Sequence, residues 1–241
     1  MGAVIASAII NGRDQNLLLA VFVVLAIGMA IGLLNGIGVS FFKVPPLIMT
    51  LAIASVVNGM IIIYSHGLAI RGSASDLLKT ISGMSSLGIP NIVIIWMLLT
   101  LIAWFILAKT KFGLILYGVG ANELTAEFSG IRSRTVRMLA YVASASISAL
   151  GGLLLLGYTG NAFMDLGSPY VLPSVAAVVI GGISLAGGSG GYVSVALGAI
   201  ILNTISGILV NLQMGEAGKQ VVFGLILLAL LTVYGRQKSE K

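Results

Sequence analysis

Few side chains in this sequence are equipped for chemistry, and they fall into two groups. The first is a polar interruption, residues 109–137, between long apolar stretches: KTKFGLILYGVGANELTAEFSGIRSRTVR. It holds five bases, Lys109, Lys111, Arg132, Arg134 and Arg137, and two acids, Glu123 and Glu127. Asn122 is placed to cap a helix, because its side-chain oxygen can accept a first-turn amide. Glu123 then sits in the first turn, where the helix dipole favours an anion. Gly130 suits the left-handed position that ends a helix. Between these ends Leu124 and Phe128, at i and i+4, share one apolar face. Two turns are too short to persist alone in water, so something must pack on that face. Two partners suit it: lipid at the membrane interface, or a groove in another protein. Either is docking chemistry, not catalysis.

The second group is uncharged and lies inside the apolar stretches: Asn35, Thr50, Ser55, Asn58, Asn203, Thr204, Ser206 and Asn211. Each can bond a solute hydroxyl in a pathway, and each can equally bond a neighbouring helix. No Asp, Glu, Lys, Arg or His lies well inside a stretch. Proton-coupled carriers use such residues at membrane depth, so that class is disfavoured. Sodium can be held by backbone carbonyls, so a sodium-coupled secondary carrier stays open. With no cysteine there is no disulfide, thiolate metal site or cysteine nucleophile. The one histidine, His66, stands at the end of a stretch and reads as a solvated loop residue. The run GGSGG, residues 187–191, lacks the G-x-G-x-x-G order and follows no strand. MGEAGKQ, residues 214–220, contains Gly-Lys but puts Gln220 where a Walker A loop needs Ser or Thr, and Gln213 where it needs glycine. The chain carries no ATPase motif of its own, and no metal or cofactor is expected in it.

The elements that hold these residues are membrane spans. The chain is 58% hydrophobic and 8% charged, against roughly 25% charged for a soluble domain. Runs of about 20 apolar residues cross a bilayer. We read seven: residues 17–42, 47–64, 89–108, 138–158, 171–185, 193–212 and 220–234. Val44-Pro45-Pro46 separates the first two, since proline lacks an amide hydrogen and restrains its predecessor. Residues 65–88 are polar and rich in glycine and serine, a loop with a short helix near residues 74–81. The fold class is therefore all-α, a polytopic transmembrane helix bundle in one domain, residues 1–241, with the short cytoplasmic helix. Residues 1–14 have no basic n-region and are not a signal peptide; we expect the end of a helix whose start is absent.

The bases give an orientation. With the tail inside, alternation puts nine of them in the cytoplasm: Lys43, Lys109, Lys111, Arg132, Arg134, Arg137, Arg236, Lys238 and Lys241. Four lie outside: Arg13, Arg71, Lys79 and Lys219. That is the sign of the positive-inside bias, so the net charge of +6 speaks of orientation and not of nucleic acid. Gly28, Gly32 and Gly36 recur every four residues on one helix face, and Ser144, Ser148 and Gly152 form a similar stripe. Small residues at this spacing permit close helix packing, or line a path.

The sequence resembles the permease subunits of ribose-type (simple-sugar) ABC importers, a family related to branched-chain amino-acid permeases. The resemblance runs from near the N-terminus to the end. It rests on GLLNG at 32–36, KVPPLIMTLA at 43–52, GANELTAEFSGI at 120–131, VAAVVIGGISLAGGSG at 175–190 and KQVVFGLILLALL at 219–231. It implies that residues 120–131 are the cytoplasmic coupling segment, with Asn122, Glu123, Leu124, Phe128, Ser129, Gly130 and Ile131 docking on an ATPase. Thr125 stands where alanine is usual and Glu127 where arginine is frequent, which alters the charge pattern of that interface. It further implies two ABC ATPase subunits that bind the ATP, a second permease subunit, and a periplasmic or lipid-anchored substrate-binding protein. The setting would be the bacterial inner membrane, multi-pass, the C-terminus cytoplasmic. The solute would be a monosaccharide or similar small polar molecule, with Asn35, Asn58 and Asn203 as pathway-lining residues. A branched-chain amino acid is the alternative solute within the family. Further N-terminal helices are usual there, and we expect them to be missing here.

Overall fold

A computed structural model describes residues 1–65, 72–83, 85–86, 88–183 and 187–239. His66 and Arg71, the end of the fifth stretch at 184–185, and Lys241 lie outside the described residues. Among those described there are eleven α-helices: α1 Gly2–Ile10, α2 Leu17–Ser40, α3 Pro46–Tyr64, α4 Asp76–Gly83, α5 Asn91–Lys109, α6 Lys111–Ala121, α7 Glu123–Phe128, α8 Ser133–Thr159, α9 Val171–Ile180, α10 Tyr192–Asn211 and α11 Glu216–Ser239. The one sheet among them pairs Ser85–Ser86 with Ile89–Pro90, antiparallel. The protein is an all-α polytopic bundle.

Five helices are long and apolar enough to cross a membrane by length and composition: α2 with the short turn before it, α3, α5, α8 and α10. The seventh stretch lies within the 24-residue α11. The fifth stretch behaves differently. Its helix, α9, has ten residues and stops at Ile180. Gly182 adopts φ +74°, its amide donates to Val179 O, and the Ile183 amide donates to Val178 O. These two bonds close a left-handed cap that satisfies the last carbonyls. A hydropathy run cannot show that break, because the glycine pair that makes it is itself apolar.

By packing, the chain forms two units, Met1–Leu98 with Ala126–Leu166, and Leu99–Thr125 with Gly167–Lys241. The first is built on a seam between α2 and α8. A Cβ on Gly28 would stand 2.8 Å from Ala149 Cβ, one on Gly32 2.6 Å from Val142 Cα, and one on Gly36 2.9 Å from Met138 Cα. The three glycines thus face successive turns of α8 with almost no side chain between. In lipid no hydrophobic force joins two helices, so close backbone approach and dispersion must do it. On α8 it is Met138, Val142, Ala145 and Ala149 that meet the glycines, while Ser144 and Ser148 are exposed. Of the serine–glycine stripe only Gly152 packs, against α1 at Ala3.

Helix α1 lies on α2 and α8, burying Ile10, Val24, Leu153 and Leu156 with Leu78 of α4. Helix α4 is fixed at its start by Asp14, whose carboxylate accepts from the Leu77 amide at 2.9 Å, and by Ser75, whose hydroxyl accepts from the Leu78 amide at 3.3 Å. In the second unit α9 packs on α10 and α11 around Ala176, Ala177, Leu202 and Phe223.

Candidate functional site

The candidate site is a six-residue helix, α7, formed because Asn122 interrupts the chain. Asn122 takes an extended backbone, φ −156° and ψ 107°, which ends α6. Its amide donates to Gly118 O at 3.1 Å, closing α6. Its side-chain oxygen accepts from the Thr125 amide at 3.1 Å, opening α7. One residue thus ends one helix and caps the next. At the far end Gly130 has φ +81°, its amide donates to Glu127 O at 2.9 Å, and the Ile131 amide donates to Ala126 O at 3.0 Å. A Cβ at Gly130 would meet nothing within 4 Å, so glycine is needed for its φ, not for space. Both sequence-predicted ends are where they were expected.

Between the caps α7 is sided. Ala126 is buried, while Leu124 is 66% and Phe128 90% exposed. Glu127 and Ser129 are exposed, Glu123 and Ile131 half-buried. Arg132 and Arg134 follow, also exposed, and Ser133 is buried where α8 begins. The arrangement is a knob: two large apolar side chains on a short, doubly capped helix, with charge on its borders.

The polar residues of the spans sort themselves. Thr50, Ser55 and Thr204 return their hydroxyls to carbonyls of their own helices, Pro46 at 2.9 Å, Leu51 at 3.0 Å and Ile200 at 2.9 Å. Such hydroxyls are satisfied without a solute. Asn35 is buried on α2, and its side-chain oxygen has no hydrogen-bond partner among the described residues. Asn58 on α3 and Asn203 on α10 are exposed. Asn35 and Asn58 belong to the first unit and Asn203 to the second.

The glycine run 187–191 lies against the end of α6. A Cβ on Gly120 would stand 2.8 Å from Gly188 N. Beside this contact is an open cleft of about 400 Å³ lined by Trp104, Leu107, Tyr117, Tyr192 and the run itself. The available signal was Gly120, one residue before Ala121 and two before the cap.

A family model described as branched-chain amino acid transport system / permease component matches residues 1–231. Curated relatives include the autoinducer 2 import system permease protein LsrC of Shigella flexneri, 32% identical over 238 residues, which is 98% of this chain and 68% of that protein. The protein of the same name from Salmonella typhi is 32% identical over 236 residues, 98% of this chain and 67% of its own length. No solved structure matches the chain.

Proposed function

Because the chain belongs to the branched-chain amino acid transport system / permease component family, we propose that it is the membrane-spanning permease of a binding-protein-dependent ABC importer for a sugar-like solute. The observation that carries this is α7, whose Phe128 is 90% exposed on a helix too short to stand alone. Leu124 and Phe128 enter a groove of the ATPase. Asn122 and Gly130 fix the two ends of the helix, and Glu123, Ser129 and Ile131 border it. ATP is bound and hydrolysed by that partner, two copies per importer. The resulting movement reaches the spans through α6 on one side of α7 and α8 on the other, since the chain runs directly into both. A second permease subunit completes the path, and an external binding protein delivers the solute. The nine-to-four distribution of bases supports a cytoplasmic α7 and tail in the inner membrane.

The sugar-type solute is favoured by the relatives, named for autoinducer 2 import, over the amino acid in the family description. Asn35, Asn58 and Asn203 suit a hydroxylated, uncharged molecule, because amide side chains both donate and accept. Uptake into vesicles containing the chain, its ATPase and its binding protein tests the reading. A panel of labelled monosaccharides and leucine should enter only with ATP inside, sugars ahead of leucine, and equally with sodium or potassium outside. Sodium-dependent uptake by the chain alone would replace the importer with a carrier.

A further inference from the structure

The glycine run 187–191 makes a contact that its sequence order does not announce. Three of its glycines hold positive φ: Gly187 at +90°, Gly188 at +78° and Gly190 at +120°. The turn can therefore lay bare backbone against the end of α6. A Cβ on Gly120 would stand 2.8 Å from Gly188 N and 3.1 Å from its Cα. One on Gly188 would stand 2.5 Å from Ala121 Cα and 2.6 Å from Ala121 N. Gly120 is needed for space, Gly188 for space and for its φ. Ala121 directly precedes Asn122, the cap of α7. Gly191 directly precedes Tyr192, the first residue of α10, which carries Asn203. The turn thus joins the root of the docking helix to the root of a span.

We infer that the 187–191 turn is a positioning element that transmits displacement of α7 to α10. The inference rests on the reading of α7 as the ATPase-docking helix. A side chain in the joint would absorb motion by changing rotamer. Backbone against backbone has no such slack, because close-packed contacts transmit strain. A methyl group at Gly188 would wedge the two roots apart by about 1 Å, breaking the contact while leaving Leu124 and Phe128 untouched.

The test uses the chain, free of cysteine, carrying Asn203→Cys and purified with its ATPase in lipid nanodiscs. Two quantities are read: ATPase retained per permease, and the rate at which a maleimide labels position 203 with and without ATP plus vanadate. In this parent, trapping should change the labelling rate at least about fivefold, the low end of ordinary coupling between sites. Adding Gly188→Ala or Gly120→Ala should keep the ATPase bound and cut the response below about twofold. Gly207→Ala, on α10 with nothing within 4 Å of its Cβ, should leave the response intact. An undiminished response in Gly188→Ala, or none in the parent, overturns the inference. Failure of the unsubstituted chain to retain any ATPase overturns the docking reading instead. Should the glycine variants not fold, Ala121→Cys with Ser189→Cys, bridged by a short bifunctional thiol reagent, decides the matter. The bridge should form and ATP hydrolysis should continue, because the two roots move as one. Absence of the bridge, or arrest of hydrolysis by it, refutes the inference.

Discussion

Phe128→Ala separates docking from folding, because the side chain contributes almost nothing to the chain's own packing. It is 90% exposed, so its removal leaves no cavity and the bundle should insert and melt as before. In the assembled importer the same ring would be buried. A phenylalanine covers roughly 150–250 Å², and truncation to alanine gives up most of it. At about 25 cal/mol per Å² the loss is about 3 kcal/mol for full burial. Incomplete enclosure brings this nearer 2 kcal/mol, about a thirtyfold loss of affinity. Leu124→Ala, at 66% exposure and with a smaller side chain, should cost less. The assay is retention of the ATPase by detergent-purified permease across a dilution series, with the yield and melting of the permease measured in parallel. Retention at unchanged strength would show that the ring sits in lipid, and the docking assignment would fall. Loss of permease yield together with the ATPase would show that Phe128 serves the fold and not the docking.

Three further outcomes are expected. Gly32→Leu should lower the folded yield sharply, since its Cβ alone would come within 2.6 Å of Val142 Cα and overpacking commonly costs about 1–3 kcal/mol; Leu33→Phe, on the exposed side of α2, should be tolerated, and equal yields in size-exclusion chromatography would place the glycines on lipid. Asn35→Leu removes an unpaired buried oxygen and so should hold or raise the melting temperature, while sugar uptake falls at least about tenfold, the effect of losing one charge-free hydrogen bond of about 1.4 kcal/mol in a path; unchanged uptake removes Asn35 from the pathway. Ser129→Cys, exposed beside Phe128, should resist an impermeant thiol reagent in intact cells and react once they are opened, and labelling from outside would invert the topology.

Much of the bundle was legible because lipid imposes a simple rule: long uncharged runs become helices. The ends of α7 were legible for a different reason. Asn122 and Gly130 act locally, through bonds to backbone three or four residues away, so their types alone predict the caps. The end of α9 was less visible, since Gly181 and Gly182 add no charge or polar side chain to an apolar run. The seam was half visible. Gly28, Gly32 and Gly36 announced a close contact, but the surface they meet has side chains of ordinary size, Met138 and Val142 among them. Of the stripe Ser144, Ser148 and Gly152, only Gly152 meets a neighbouring backbone, that of Ala3. The role of residues 187–191 depends on where α6 ends, a tertiary fact that spacing does not encode.

The α2–α8 seam has a consequence in time. Helix α2 ends at Ser40 and α8 begins at Ser133, so the ribosome must add roughly 90 residues between them, about 5–20 s of synthesis. Throughout that interval α2 is complete and its partner is not. Insertion and assembly are therefore separate events for this helix, and Gly32 matters only to the second. A substitution there would yield a protein that is delivered to the membrane on schedule, waits, and finds its place taken up by its own side chain.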